Sequence, residues 1–174
     1  MIENFQQKAR KDYKDVKEVF DKHGLEFFAF CGTALGAVRD NDFIAWDYDI
    51  DLASIYPLSD ENKQKVIADL RAKGFDVTLR HPAPNGNLFF ERNVKGDLYW
   101  MSRVGDNFIY HLDDGKEAIK IPAIFIENLA IRTLGDSTVL VPALADSYLT
   151  ATYDKDWRTV KKDQIGKIIL EESK

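Results

Sequence analysis

The chain of 174 residues has the length of one domain, and its 45% hydrophobic and 30% charged residues are ordinary for a folded, water-soluble protein. Its net charge of −5 argues against nucleic-acid binding, which normally requires a basic surface. One cysteine, Cys31, excludes an intrachain disulfide and a thiolate zinc site, and no apolar run approaches the ~20 residues that span a bilayer.

The N-terminal segment is charged and has no apolar stretch, which predicts a cytoplasmic protein without a signal peptide. Apolar residues recur at helical spacing within 5–20, and Gly24 is placed to end that helix. The apolar run 25–30 predicts a short buried strand. Thr33 is a suitable N-cap for a short helix that reaches about Arg39.

The middle of the chain alternates between strand and helix patterns. A turn-rich loop at 40–46 leads to a predicted strand at 47–55. Helical spacing returns at 60–73, and Gly74 closes that helix. Successive strands are predicted at 75–79, 87–92, 97–103 and 108–112.

Two helices are predicted near the C terminus. Pro142 is placed in the first turn of a helix that runs to about Tyr153. Three isoleucines indicate a last short helix: Ile165, Ile168 and Ile169. Without repeats or a Pro/Gly-rich linker, residues 1–174 are predicted to form a single α+β domain, a mixed β-sheet flanked by helices.

Three aspartates alternate with apolar or aromatic residues in the strand predicted at 47–55. On an extended strand Asp47, Asp49 and Asp51 point to the same side, where their charges repel one another. A hard divalent cation with oxygen ligands, Mg²⁺ or Mn²⁺, removes that repulsion. The residues between them are predicted to face the core: Tyr48, Ile50 and Leu52.

Two other structures have acidic runs similar to this one. A solvated acidic edge strand, which keeps neighbouring molecules from pairing with the sheet, stays open as an alternative. An EF-hand calcium loop is excluded, because Leu52 stands where that loop requires glycine and Leu58 where it requires glutamate.

A Gly-Thr pair lies where the predicted strand at 25–30 gives way to a helix. Gly32 allows the backbone to approach a phosphate, and the first amides of a helix attract anions. Thr33 is placed to bond either the helix amides or a phosphate oxygen. Arg39 is placed either to clamp a phosphate through two hydrogen bonds or to pair with Asp42 or Asp47.

Together these motifs resemble the LicD/fukutin family of the nucleotidyltransferase superfold. The matching pattern is Gly32-Thr33-x-Leu35-Gly36-x-x-Arg39 followed by Phe43-Ile44-x-Trp46-Asp47-x-Asp49-x-Asp51. The segment 96–100 is similar to the family's strand with the third carboxylate, here Asp97. The stretches 125–134, 141–142 and 148–157 are similar to its closing segment. The resemblance implies a nucleotidyltransferase-like sheet with flanking helices.

The resemblance also implies a metal-dependent reaction. A phospho-alcohol, such as phosphocholine or ribitol phosphate, would pass from a CDP-activated donor to the hydroxyl of a cell-surface glycan or another acceptor. Asp49 and Asp51 would ligate Mg²⁺ or Mn²⁺, and Asp47 would be a further ligand or an orienting group. Asp97 would complete the metal site or act as general base, and Trp46 would stack on the substrate.

Three points stay open at the level of the sequence. The same acids also suit a nucleotidyltransferase that moves a nucleoside monophosphate from an NTP to a small molecule, protein or RNA. They also suit a nucleotide- or metal-binding module without catalysis. The chain is shorter than typical family members, so the part that would hold an extended acceptor is expected to be either missing or supplied by a partner.

Overall fold

The computed structural model describes residues 4–56, 58–80, 86–111 and 118–161. The described residues combine helices with a mixed sheet and with runs of consecutive strands, which confirms the predicted α+β class. The helices are α1 (Phe5–Lys22), α2 (Cys31–Arg39), α3 (Asp60–Ala72), α4 (Ala123–Ile126) and α5 (Ala145–Tyr153). The strands are β1 (Phe28–Ala29), β2 (Asp49–Ser54), β3 (Asp76–Arg80), β4 (Asn87–Glu91), β5 (Lys95–Trp100), β6 (Ser102–Val104), β7 (Asn107–His111), β8 (Ala118–Pro122), β9 (Leu129–Leu134) and β10 (Ser137–Pro142).

The main sheet has the strand order β1-β2-β5-β4-β3. The central strands β2 and β5 are parallel, whereas the other neighbours are antiparallel, so the sheet is mixed as predicted. Strands β6, β7 and β8 form a second sheet, and β9 and β10 form a hairpin. Strands β8, β9 and β10 were not among the predicted elements.

Helices α1 and α3 have nearly the predicted bounds. Asn4 caps α1 through a capping box with Gln7, and Ser59 caps α3 by accepting a hydrogen bond from the amide of Asn62. Behind each helix a glycine adopts a positive φ, +63° at Gly24 and +86° at Gly74, which explains why both glycines end a helix. In the described part of the chain, no helix combines the length and hydropathy that crossing a membrane requires.

Three local predictions were wrong or incomplete. Helix α2 begins at Cys31, with Phe30 as its N-cap, so Thr33 lies inside the helix. The predicted strand 97–103 divides at Met101 into β5 and β6, which pair with different sheets. Pro142 ends β10, because its segment pairs with β9, and α5 starts only at Ala145. The last predicted helix, 165–169, lies outside the described residues.

Candidate active site

One face of the main sheet brings together aspartates from two neighbouring strands. Asp51 on β2 is the Cα partner of Asp97 on the parallel strand β5, and Asp49 is the partner of Lys95. Because alternate residues point to the same side of a sheet, Asp49, Asp51 and Asp97 share this face. The residues of the opposite face are fully buried, namely Ile50, Leu52 and Leu98. The alternation predicted for Asp49 and Asp51 is therefore confirmed, with apolar anchors between the acids.

The carboxylates of this face raise one another's proton affinity. Burial raises the pKa of Asp49 to about 7, and the charges of Asp47 and Asp97 add to the rise, while Lys95 opposes it. Burial also raises the pKa of Asp51 well above its ordinary value, again with contributions from the neighbouring aspartates. The face therefore accumulates negative charge that a proton or a cation stabilises.

Asp47 reaches the site from a turn rather than from the strand. Its amide donates a hydrogen bond to the carbonyl of Ile44, and its Oδ1 accepts one from the amide of Tyr48. Its Oδ2 lies 2.6 Å from the position that a Cβ on Gly32 would occupy, so any larger residue at position 32 would displace the Asp47 carboxylate. Tyr48 was predicted to face the core, but its side chain is 76% exposed because β2 begins only at Asp49.

The start of α2 is bonded to Asp51. The hydroxyl of Thr33 accepts a hydrogen bond from the amide of Asp51 at 2.9 Å, and the amide of Phe30 donates to the Asp51 carbonyl at 3.0 Å. A backbone hydrogen bond from Gly32 partly offsets the rise in the pKa of Asp51. Thr33 is 1% exposed, and its hydroxyl hydrogen-bonds to strand β2 instead of capping the helix as predicted. Substrate binding by Gly32 and Thr33 stays a prediction.

Arg39 makes a two-pronged contact with its neighbour Asp40. Its Nε donates to Oδ1 at 2.9 Å and one terminal nitrogen donates to Oδ2 at 2.8 Å. The ion pair proposed as the alternative to a phosphate clamp forms with Asp40 instead of Asp42 or Asp47, and Asp42 accepts from Arg10. The phosphate clamp by Arg39 stays a prediction.

Two polar residues of the site were missed by the sequence interpretation. Asn87 at the start of β4 donates from Nδ2 to Oδ1 of Asp97 at 2.6 Å. The guanidinium of Arg80 stacks on the ring of Phe89, 4.2 Å from its centroid, and its Nη1 lies 4.0 Å from the same oxygen of Asp97. Only the polar start of an otherwise apolar run at 87–90 hinted at a role for Asn87.

Aromatic rings pack beside the acids. The Phe30 ring contacts those of Tyr99, Tyr110 and Tyr148 with centroid distances of 6.1, 5.5 and 6.3 Å. The Tyr148 hydroxyl accepts a hydrogen bond from the amide of Cys31 at 3.2 Å. Burial, with smaller contributions from nearby titratable groups, raises the pKa of the three tyrosine hydroxyls. The aromatic cluster beside the aspartates is therefore uncharged.

Two tryptophans close to the acids in sequence differ in environment. Trp46, the predicted substrate-stacking residue, is 39% exposed just before Asp47, and its role stays a prediction. Trp100 is buried, and the ammonium of Lys63 lies 5.0 Å from its ring centroid, which makes it part of the core.

The donor chemistry of the site fits a hard divalent cation. Among the described residues, no group of three His, Cys, Asp or Glu side chains is arranged to hold a metal ion. Magnesium, however, commonly binds through only one or two carboxylates, and substrate phosphates and water complete its coordination. Asp49 and Asp51 offer two such carboxylates at adjacent same-face positions, and burial together with neighbouring aspartates raises the pKa of both.

A mixed sheet that carries these acids on two neighbouring strands, beside a helix whose first turn contains Gly32 and Thr33, defines a nucleotidyltransferase fold. The model of the family described as LicD/FKTN/FKRP, nucleotidyltransferase domain, matches residues 24–143, and the chain belongs to this family.

The fold is also that of solved nucleotidyltransferases. The crystal structure of the lincosamide antibiotic adenylyltransferase LnuA, with lincomycin bound, superposes with a TM-score of 0.54 at 13% identity, and the match covers 85% of this chain and 94% of LnuA. ANT(2")-Ia in complex with adenylyl-2"-tobramycin gives a TM-score of 0.40 at 17% identity, over 59% of this chain and 53% of that one. A search of curated protein sequences found no match.

Proposed function

We propose that the protein is a metal-dependent transferase that moves a phospho-alcohol from a CDP-activated donor to a hydroxyl of a glycan or another acceptor. The observation that supports this proposal most is the register of β2 and β5, which sets Asp51 beside Asp97 and places Asp49 on the same face. Membership of the LicD/FKTN/FKRP family supports the choice of transferred group.

The site residues would have different roles in the proposed reaction. Asp49 and Asp51 would hold Mg²⁺ or Mn²⁺, with Asp47 and Asp97 as nearby carboxylates. Such an ion, when bound, neutralises the charge of the donor phosphates. Asp97, whose side chain is 13% exposed, is placed to accept the proton of the attacking hydroxyl. Gly32 and Arg39 are proposed to contact the donor's phosphates.

A second candidate keeps the site and changes the transferred half of the donor. LnuA is an adenylyltransferase, and its fold matches this chain over most of both lengths. In that reaction a nucleoside monophosphate passes from an NTP to a small molecule. The products separate the two reactions: release of CMP from a CDP-alcohol supports the first, and release of pyrophosphate from an NTP supports the second. Nucleotide binding without either product would indicate a non-catalytic module.

Metal and nucleotide are expected to stabilise the protein synergistically. Each ligand that binds the folded state raises stability by mass action, by about 2.7 kcal/mol at a concentration of 100 times its Kd. Mg²⁺ shares its coordination with substrate phosphates, so each ligand should strengthen binding of the other. The measurement is a thermal-shift matrix of CDP-choline, CDP-ribitol, CTP, ATP and UTP, each with and without Mg²⁺ or Mn²⁺. Shifts that merely add would contradict a shared site.

Replacing Arg39 by lysine is expected to lower catalysis about ten- to a hundredfold if Arg39 grips a donor phosphate. Lysine keeps the charge but loses the planar fork that matches phosphate geometry, and a charged hydrogen bond contributes about 1.5–3 kcal/mol. Turnover and donor affinity of Arg39→Lys and Arg39→Ala should be measured beside their melting temperatures.

The control for Arg39 is its observed partner, Asp40, whose side chain is 31% exposed. The side chain of Arg39 is only 7% exposed, but asparagine at position 40 keeps an oxygen that accepts from the guanidinium, so Asp40→Asn should lower the melting temperature only slightly. If Arg39 serves only this pair, the Arg39 and Asp40 variants will behave alike and retain wild-type kinetics. That result would assign phosphate binding to the metal and the Gly32 backbone.

A further inference from the structure

We propose that Asn87 is a positioning residue that fixes the orientation of the Asp97 carboxylate beside Asp49 and Asp51. The inference rests on the proposed function, because it assigns Asn87 a task in the same site. Asn87 is 1% exposed, and its Nδ2 lies 2.6 Å from Oδ1 of Asp97. A hydrogen bond to a carboxylate is stronger than one between neutral groups, so this contact selects one orientation of Asp97.

The sheet register explains why Asn87 reaches Asp97. Asn87 is the Cα partner of Tyr99, and Asp97 is the partner of Phe89. Asn87 therefore lies diagonally across from Asp97 on the same face, one row further along the sheet. Diagonal neighbours on one face are within reach of polar side chains. Asn87 thus approaches Asp97 on the side away from strand β2.

Asp97 lies between opposing electrostatic influences. On the β2 side, the charges of Asp49 and Asp51 interact unfavourably with it, as their raised pKa values show. On the β4 side, Asn87 donates to its Oδ1, and the guanidinium of Arg80 lies 4.0 Å from the same oxygen. The Asn87 donor holds Oδ1 of Asp97 on the β4 side, and this fixes the orientation of the whole carboxylate relative to Asp49 and Asp51.

The kinetic test is a double-mutant cycle between Asn87 and Asp97. Asn87→Leu removes the donor and keeps the branching and the number of heavy atoms of the side chain. Its kcat should fall about 10- to 100-fold with donor KM little changed, the size typical of losing a partner that orients a ligand. In the Asp97→Asn background the same substitution should change kcat less than about twofold, since residues that act as a unit are not additive. Asn107→Leu, at the start of β7, is the matched control and should keep wild-type kcat.

A spectroscopic measurement tests the contact without turnover. The side-chain amide protons of Asn87 should resonate downfield in a ¹H–¹⁵N spectrum and shift upfield in Asp97→Asn. The proposal would be overturned by wild-type kcat in Asn87→Leu or by equal losses of kcat in the wild-type and Asp97→Asn backgrounds. It would also be overturned if the chemical shift of the Asn87 side-chain amide did not change in Asp97→Asn. Failure of the proposed function would appear differently, as no turnover of any donor while the amide signal still responds to Asp97→Asn.

Discussion

Asparagine in place of Asp49 or Asp51 is expected to lower transferase activity by more than about 100-fold, since loss of even an outer-shell partner of a metal costs 10- to 100-fold. The fold should stay intact, because the carboxylates repel one another in the metal-free protein. Their buried apolar neighbours Ile50 and Leu52, which anchor β2, are unchanged. Turnover with Mg²⁺ or Mn²⁺ and melting curves should be measured on the same preparations.

The melting temperatures of the wild type and of Asp49→Asn should depend differently on pH. The pKa of Asp49 is raised by burial and by neighbouring charges to about 7 in the folded protein, above the ordinary value of 3.8. Folding therefore favours the protonated form, and that stabilisation is lost as the pH rises from 3.8 through about 7. Asp49→Asn removes the repulsion, so without metal its melting temperature should exceed the wild-type value more at pH 8 than at pH 5.

Asp76→Asn is the control for the substitutions at Asp49 and Asp51. Asp76 lies on the same sheet at the edge strand β3 and is exposed, so the same change there should leave turnover and melting temperature near wild type. Near-normal turnover with metal in Asp49→Asn or Asp51→Asn would contradict the metal-site assignment. Unfolded variants would contradict the view that these carboxylates serve chemistry rather than stability.

Replacing Asp12 by alanine is expected to destabilise the protein by about 3–5 kcal/mol, the range for removing one partner of a buried ion pair. Asp12 is fully buried on α1. It accepts hydrogen bonds from two nitrogens of Arg92 at 3.0 and 2.8 Å, and from the amides of Asn93 and Val94 at 2.8 and 3.0 Å. Its loss leaves these donors without their acceptor and releases α1 from the turn between β4 and β5.

Asp15 provides the matched control for Asp12. It lies on the same helix and also accepts a hydrogen bond from Arg92 at 2.8 Å, but its side chain is 32% exposed. Its second partner, Lys73, also forms an ion pair with Glu18. A pair exposed to this degree contributes at most about 1 kcal/mol, so Asp15→Ala should be nearly neutral. Urea unfolding of both variants gives the free energies directly. Equal losses would show that Asp12 has no special part in holding α1.

The local elements and the site motif followed from the sequence because they depend on neighbours along the chain. Amphipathic spacing located α1 and α3, and glycines with positive φ marked their ends at Gly24 and Gly74. Alternation placed Asp49 and Asp51 on one face, since a strand has a period of two wherever it pairs. The family was visible in one continuous stretch, Gly32 to Asp51, and the family match confirms it.

The tertiary structure decided which distant groups meet at this face. Asp97 became the partner of Asp51 only through parallel pairing of β2 with β5, and Asn87 reached Asp97 only through antiparallel pairing of β4 with β5. Thr33, the predicted N-cap, instead accepts a hydrogen bond from the Asp51 amide, because α2 begins three residues earlier than predicted, with Phe30 as its N-cap. Such contacts depend on register between segments far apart in sequence, and a one-residue slip would point each side chain to the opposite face.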